Sequence, residues 1–172
     1  MEITIQREYN TLIWKNQNHE YTYTAKGIEN ATEKNGIIFI EIYNENCFSY
    51  RYIDITGKDL VWYDEIGRIT LFDKENSNSF SMEIDGLSEI SARADKCWCM
   101  SRNTIKSISY SGKILSEIYP PSGYTFYRFA NDEGLEVICS GNPQTADSSG
   151  RNDWLFRYDF LTNSWEKDSI AY

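Results

Sequence analysis

The feature that most constrains this sequence is a hairpin pattern that occurs twice, 55 residues apart. Residues 53–60 read IDITGKDL, and residues 108–115 read ISYSGKIL. Each segment is a short alternating run, a turn led by glycine and a second run, which is typical of a β-hairpin whose turn needs a positive φ. Recurrence on this scale predicts an array of antiparallel meanders, because each copy is one small unit of sheet.

Alternation of apolar and polar residues dominates the rest of the chain, and turn residues interrupt it at short intervals. The one helical turn that the pattern favours is residues 87–94. The length of 172 residues fits a single all-β domain, 1–172, that is large enough to bury its own core. Strands are predicted at 3–5, 11–14, 21–24, 37–43, 47–55, 60–63, 68–72, 80–84, 96–100, 105–110, 114–118, 124–129, 136–139, 155–158 and 165–169.

The C-terminal segment has a recognisable order of elements. An apolar strand at 135–141 ends in glycine, a polar loop follows, and then come WLFRYD at 154–159 and NSW at 163–165. This order resembles a kelch-type β-propeller blade, although the glycine pair of that family is reduced here to Gly141 followed by Asn142. Independently of the resemblance, Asn163 suits a left-handed turn, Asp159 can satisfy turn amides and Trp165 can cover the hairpin.

The chain is short for a complete propeller. At about 45 residues per blade it makes three to four units, and a closed ring typically has at least four. We therefore predict antiparallel meander sheets arranged as an incomplete (half) β-propeller, with a β-sandwich as the alternative. An open fan of this kind leaves strand edges unpaired, and a partner can cover them.

The formal charge of −9 is distributed unevenly. Residues 41–95 contain twelve acidic and five basic residues, a balance of −7. A strongly acidic protein is a poor ligand for nucleic acid, because binding phosphate requires a basic face. The charge favours a basic protein partner, and the alternative is that it only keeps the protein soluble.

The N-terminal residues have neither the basic nor the apolar region of a signal peptide, and no apolar run approaches 18 residues. The sequence thus predicts a cytoplasmic protein that does not associate with a membrane. Cys97 and Cys99 alternate on one face of a strand, and Cys47 and Cys139 lie in apolar runs. Buried free thiols are the expected state of all four.

No residue pattern amounts to a catalytic or metal-binding signature. His19 is the only histidine, and it is expected in an exposed polar turn. A serine nucleophile elbow is missing, and the cysteines with one distant histidine do not give the spacing of a zinc site. The acidic doublets 64–65 and 132–133 lie beside glycines in expected hairpin turns, where acids are common for structural reasons. We predict no catalytic residue, no metal and no cofactor.

The loop 141–153 is the longest polar connection, and long loops in compact domains are usually functional or mobile. Asp147, Asn152 and Asp153 could offer oxygens to Ca²⁺, but their spacing does not match a calcium loop. A loop that contacts a partner or is mobile is favoured over a metal site. Aromatic residues anchor many interfaces, and the candidates on the predicted strands are Tyr50, Tyr52, Trp62, Tyr63, Tyr124, Tyr127 and Trp154.

A compact, acidic, all-β protein without active-site chemistry resembles, in overall character, the immunity proteins that bacteria make against their own cationic toxins, often nucleases. The resemblance implies a non-catalytic protein that neutralises a basic toxin by presenting carboxylates to its positive cleft. The alternatives are a glycan-binding or glycoside-processing propeller, which would use Trp154 beside Asp153, and an interaction scaffold. The predicted partner-binding residues are Asp54, Asp59, Asp64, Glu65, Asp73, Glu75, Glu83, Asp85, Asp147, Asp153 and Trp154.

Overall fold

The computed structural model describes residues 3–6, 9–131 and 134–171. In every sheet the strands follow one another in chain order, so each sheet is a meander. The first sheet is β1 (Ile3–Gln6), β2 (Thr11–Asn16) and β3 (His19–Thr24), and the second is β4 (Ile28–Lys34), β5 (Ile37–Asn44), β6 (Cys47–Asp54), β7 (Asp59–Asp64), β8 (Arg68–Asp73) and β9 (Asn78–Glu83).

The remaining two sheets have four strands each. The third is β10 (Leu87–Ala92), β11 (Lys96–Ser101), β12 (Ile105–Ser109) and β13 (Ile114–Ile118), and the fourth is β14 (Tyr124–Asn131), β15 (Glu136–Gly141), β16 (Asp153–Asp159) and β17 (Ser164–Ile170). The predicted fold class, an all-β chain of antiparallel meander sheets, is confirmed. The residues group into two compact units, one containing the first two sheets and the other containing the fourth.

Two local expectations were wrong. Residues 87–94 do not form a helical turn, because Leu87–Ala92 is strand β10, in which Ile90 is buried. Pairing within the sheet overrides the weak helical preference of this short segment. Strand β4 was not predicted at all. It is an edge strand in which only Ile28 is fully buried, so its sequence lacks the apolar alternation of a half-buried strand.

The repeated hairpin of the sequence is confirmed in detail. The two turns connect β6 to β7 and β12 to β13. Gly57 has φ +85° and Gly112 has φ +83°, the left-handed region that favours glycine. In both turns the glycine amide donates to the carbonyl three residues earlier, at 2.9 Å. The two segments therefore fold alike because the same turn residues recur.

The same turn is used twice more. Gly67 has φ +87° and its amide donates to the carbonyl of Asp64, and Gly150 has φ +79° and its amide donates to that of Asp147. All four turns read Asp or Ser, two residues, Gly, and then Lys or Arg. The strands on either side of these two additional turns differ in sequence from those of the repeated hairpin. A comparison of whole hairpins therefore does not reveal the additional turns.

The six-stranded sheet buries one of its faces at β5 and the opposite face at β7 and β8. In β5, Ile38, Ile40 and Ile42 pack with residues of β2 in one core. In β7 and β8 the buried residues include Val61 and Leu71, which by strand register lie on the other face. A sheet that changes its buried face leaves one side of β5 and β6 open. The side chains on that open side include Phe39, Glu41, Tyr43, Phe48, Tyr50 and Tyr52.

The C-terminal sheet has the local features expected of it. Asn163 has φ +52°, and Asp159 accepts a hydrogen bond from the Leu161 amide at 2.8 Å. The Trp165 ring lies against Tyr158, with ring centroids 4.9 Å apart, and also against Phe156. The left-handed turn and the packing role of the tryptophan are thus confirmed.

All four cysteines are free thiols. Cys97, Cys99 and Cys139 are buried, and burial raises the pKa of Cys139 to about 12. The expectation of burial was wrong for Cys47, which is exposed because β6 begins with it immediately after a turn. The described residues form no helix with the length and apolar character needed to cross a membrane.

Candidate partner-binding surface

Several of the predicted carboxylates are turn residues whose oxygens are used within the fold. Asp64 is 8% exposed and accepts hydrogen bonds from the amides of Ile66 at 3.2 Å and Arg68 at 3.1 Å. Nε and Nη2 of Arg68 both donate to its Oδ2, each at 2.7 Å. Asp147 makes the same contacts with Ser149 and Arg151, and the hydrogen bonds from Arg151 hold the pKa of Asp147 below its ordinary value.

Asp54 shapes its turn in the same way and is also paired with a cation. It accepts from the Thr56 amide at 2.8 Å and from Nζ of Lys74 at 2.5 Å. Burial alone would raise the pKa of Asp54, but the hydrogen bonds from Lys74 and Thr56 outweigh it and lower the pKa. A carboxylate that is already neutralised within the fold has little charge left to offer a partner.

Asp59 lies in a small polar network at the margin of the core that β2 and β5 share. It is 3.6 Å from Nη1 of Arg51, which donates to the Tyr23 hydroxyl at 2.6 Å. Burial raises the pKa of Tyr23 to about 12. Asp59, like the three turn aspartates, therefore has a basic residue of this chain beside it.

The other predicted acids are more exposed. Asp73 and Glu75 share the turn between β8 and β9, where the Asn76 side chain donates to Asp73 and lowers its pKa. Glu83 and Asp85 are exposed at the opposite end of β9. Asp153 is exposed at the start of β16, in the other compact unit.

One end of the six-stranded sheet gathers exposed carboxylates and exposed apolar side chains. Successive antiparallel strands place the β5–β6 turn, the β7–β8 turn and the end of β9 together. We call this surface the acidic end; its residues are Tyr43, Glu45, Phe48, Glu65, Ile66, Glu83 and Asp85. The basic residues at this end are Arg68, which is bound by Asp64, and the exposed Lys26, which precedes β4 beside the end of β5.

Apolar exposure at the acidic end is substantial. Tyr43 is 40%, Phe48 37% and Ile66 68% exposed. The rings of Tyr43 and Phe48 are in contact, with centroids 4.8 Å apart, and the Tyr43 hydroxyl donates to Asn46 at 3.4 Å. The Phe48 amide donates to the Glu65 carboxylate at 3.3 Å. The surface therefore combines aromatic anchors with a positioned carboxylate.

The aromatic side chains continue inward from Phe48 along the open side of the sheet. The Phe48 and Tyr50 centroids are 6.3 Å apart, and those of Tyr50 and Tyr63 are 4.7 Å apart. Burial, with the carboxylates of Glu65 and Glu41, raises the pKa of Tyr50. Burial makes the larger contribution to this rise in pKa, and the two carboxylates add to it.

The predicted loop site is held together by its own contacts. Pro143–Thr145 is a 3₁₀ turn, and Nδ2 of the Asn152 side chain donates to the Gly141 carbonyl at 2.9 Å. Nζ of Lys167 lies 3.3 Å from the Trp154 ring centroid. Asp147 is held by Arg151, so the oxygens proposed for Ca²⁺ do not converge. A sugar stacking on this face of Trp154 would have to displace Lys167.

The remaining chemical candidates are dispersed. His19 is exposed, but it is the first residue of β3 rather than part of the turn, and it lies beside Tyr21. Asp132 and Glu133 lie outside the described residues. Over the described ranges, no group of three or more His, Cys, Asp and Glu side chains could hold a metal ion.

Sequence reasoning missed most of the apolar part of the acidic end. Tyr43 and Phe48 lie beside turn residues and read as ordinary strand ends, and Ile66 is itself a residue of the β7–β8 turn. The signal that could have found them is the pairing of Tyr43 with Phe48 across the two-residue turn at Glu45 and Asn46. This turn places two aromatic side chains next to each other at the end of a hairpin.

No family model matches this chain, and no curated protein matches it. Three solved structures resemble its fold and are β-propeller-like. The N-terminal domain of Nup159 is 6% identical, with a TM-score of 0.48 over 98% of this chain and 60% of that one. A streptogramin B lyase is 12% identical (TM-score 0.48, 99% and 68%), and virginiamycin B lyase from Staphylococcus aureus with quinupristin is 15% identical (TM-score 0.46, 98% and 69%). The chain thus spans less than two thirds of the Nup159 domain.

Proposed function

We propose that this chain is a non-catalytic binding protein whose acidic end holds a basic protein partner. Its specific role is that of a cytoplasmic bacterial immunity protein that neutralises a nuclease-type toxin. The observation that carries the proposal is that Glu65, Glu83 and Asp85 are exposed beside Tyr43, Phe48 and Ile66, while Arg68 is bound by Asp64.

The physical argument has two parts. A nuclease presents a positive cleft to phosphate, so a carboxylate-rich surface is attracted to it and associates quickly. Attraction alone gives little affinity, and the buried aromatic contacts of an interface supply most of the binding energy. The acidic end offers both the charge and the anchors on hairpins held by hydrogen bonds.

The test compares two double variants with the same change in net charge. Glu65→Lys with Asp85→Lys reverses the charge of the acidic end, and Glu166→Lys with Asp168→Lys reverses two exposed acids of β17. Proteins of the source cells are passed at moderate salt over each immobilised form. A retained basic protein is then purified, and its nuclease activity is titrated with the wild-type chain.

We expect the wild type and the β17 variant to retain the same basic protein, and the acidic-end variant to lose it. We expect the wild-type chain to abolish that protein's nuclease activity at equimolar concentration. Retention without loss of activity would favour the interaction scaffold. Equal retention by both double variants, or no retained basic protein, would overturn the proposal.

A further inference from the structure

Among the described strands, β9 has an open edge. It is the last strand of the six-stranded sheet and pairs with β8 on one side. The Ile84 amide donates to the Gly67 carbonyl at 3.0 Å, which fixes the alternation of the ladder. Because bonded residues alternate along an antiparallel pair, the N–H and C=O groups of Ser79, Ser81 and Glu83 point away from β8. These groups form a row that another strand can pair with.

Independent evidence supports this assignment. Oγ1 of Thr70 and Oγ of Ser81 are 3.0 Å apart. Such a close approach of side chains is typical of the non-hydrogen-bonded positions of an antiparallel pair. Five of the six residues of β9 are exposed, and Met82 is partly buried. The residues of β9 are therefore mostly exposed, although the Phe80 ring packs against Gly112 of the β12–β13 turn.

The charges around β9 decide what can pair with it. Asp73 and Glu75 lie at one end of the strand, and Glu83 and Asp85 lie at the other. A second copy of this chain pairing with β9 in either direction would bring carboxylates opposite carboxylates, which is unfavourable. A basic strand would instead meet a carboxylate at each end.

Two shallow grooves beside β9 fit the side chains of such a strand. One has a volume of about 370 Å³ and is lined by Trp62, Thr70, Ser81 and Glu83, among others. The other has a volume of about 360 Å³ and includes Asp73, Asn78 and Tyr110. Each groove contains a carboxylate; the first also contains Arg68, whose guanidinium is bound by Asp64, so that Glu83 is left for a basic side chain. In strand addition such side-chain sites provide specificity.

We infer that the outer edge of β9 is a strand-addition site for an extended basic segment of the protein partner, an inference that rests on the proposed function. The backbone groups of Ser79, Ser81 and Glu83 form the new ladder. The carboxylates of Glu83 and Asp73 hold basic side chains that project from the added strand. The acidic end then contacts the rest of the partner.

A peptide experiment with the full-length, ¹⁵N-labelled chain tests the inference. The probe is a capped peptide about ten residues long in which pairs of lysines alternate with pairs of threonines, so that lysines project from both faces of the added strand, and this length spans one strand. Two controls have the same length: one carries N-methyl groups on alternate residues, and the other has glutamate in place of lysine. The measurements are the dissociation constant and the hydrogen-exchange rates of the backbone amides.

We expect the lysine peptide to slow exchange at Ser79, Ser81 and Glu83, and N-methylation to weaken binding about tenfold, because the ladder hydrogen bonds are lost. Equal binding of the lysine and N-methylated peptides would show attraction by charge alone and would overturn the inference. Binding of the glutamate peptide as tight as that of the lysine peptide would also overturn it.

A variant provides a second test with the partner itself. Ser81→Pro removes an N–H that faces away from β8, a change that edge strands tolerate, and Ser81→Ala keeps that N–H. We expect Ser81→Pro to bind the partner about tenfold more weakly than Ser81→Ala. If Ser81→Pro binds normally while the acidic-end variant does not, the edge site is wrong and the proposed function stands. If neither variant changes binding, both are wrong.

Discussion

The two ends of the six-stranded sheet are built from similar hairpins but differ in charge. At the end opposite the acidic end, each of the three turns contributes a lysine, namely Lys34, Lys58 and Lys74. There Lys74 pairs with Asp54. At the acidic end the basic residues are Arg68, which Asp64 holds, and the exposed Lys26 before β4.

The difference teaches that a carboxylate count does not identify a binding surface. Asp54 and Asp64 are needed to form their turns, and each has a basic partner within the chain. Glu65 and Asp85 are not needed in this way. Exposed like charges without partners destabilise a fold slightly through repulsion, so their presence at one end fits a role in binding.

The largest expected loss of stability comes from substituting alanine for a glycine at each end of the six-stranded sheet. A Cβ on Gly27 would lie 2.1 Å from the Tyr43 carbonyl oxygen, whereas the nearest atom to a Cβ on Gly36 is 3.9 Å away. Both residues have a positive φ. We expect Gly36→Ala to lower the free energy of unfolding by about 1 kcal/mol and Gly27→Ala by about 3 kcal/mol or more. Urea unfolding of both variants checks this, and equal losses would contradict the described approach to Tyr43.

Substitution of the turn aspartates should cause the next largest loss of stability. Asp64→Ala should lower the free energy of unfolding by about 3 kcal/mol, because it removes a buried acceptor and leaves Arg68 without its partner. Asp54→Ala should cost about 1–2 kcal/mol, since its site is more exposed. Asn at either position is the control, because it keeps an acceptor oxygen. A larger loss at Asp54 than at Asp64 would reverse the expected order.

The pH dependence of stability separates the effect of the Asp54 charge from the effect of its hydrogen-bond geometry. Its pKa in the folded chain is lowered. The carboxylate therefore stabilises the fold above its unfolded pKa of about 3.9, and this stability is lost as the pH falls through the folded pKa. Between pH 5 and pH 2, roughly, the wild type should lose more stability than Asp54→Asn. Denaturation curves measured across this range check the sign, and parallel curves for the two proteins would refute it.

The smallest effect concerns repulsion at the acidic end. Glu65→Gln with Asp85→Asn should raise the Tm by about 1 °C at low salt. The gain should disappear in high salt, because salt screens exposed charges. Lys58→Gln at the opposite end should not raise the Tm. Calorimetry at two ionic strengths tests the comparison, and a gain that persists in high salt would point to a change in packing instead.

The local parts of this fold were readable from the sequence. Turns such as that at Gly57 follow from a few adjacent residues, so their hairpins were predicted correctly. Strand β4 was missed because an edge strand with one buried residue has little pattern to detect. Segment 87–94 was misread because its short run of alternating residues carries too little information to separate a strand from a helical turn.

The candidate site was less readable, for a physical reason. Its members come from three separate turns, and only the order of strands in the sheet brings Phe48 next to Glu65. The sequence shows where acidic residues are concentrated, but it did not separate acids that form turns, such as Asp64, from acids that face solvent, such as Asp85. The turn pattern shared by Asp54, Asp64 and Asp147 would have made that distinction.

The exposed Cys47 thiol has a practical consequence for all of these measurements. It begins β6 next to Phe48, at the acidic end, while the other three cysteines are buried. A thiol-reactive fluorophore should therefore label the wild-type chain at one position without any engineered substitution. Its emission would then report directly when a second molecule covers this end of the sheet.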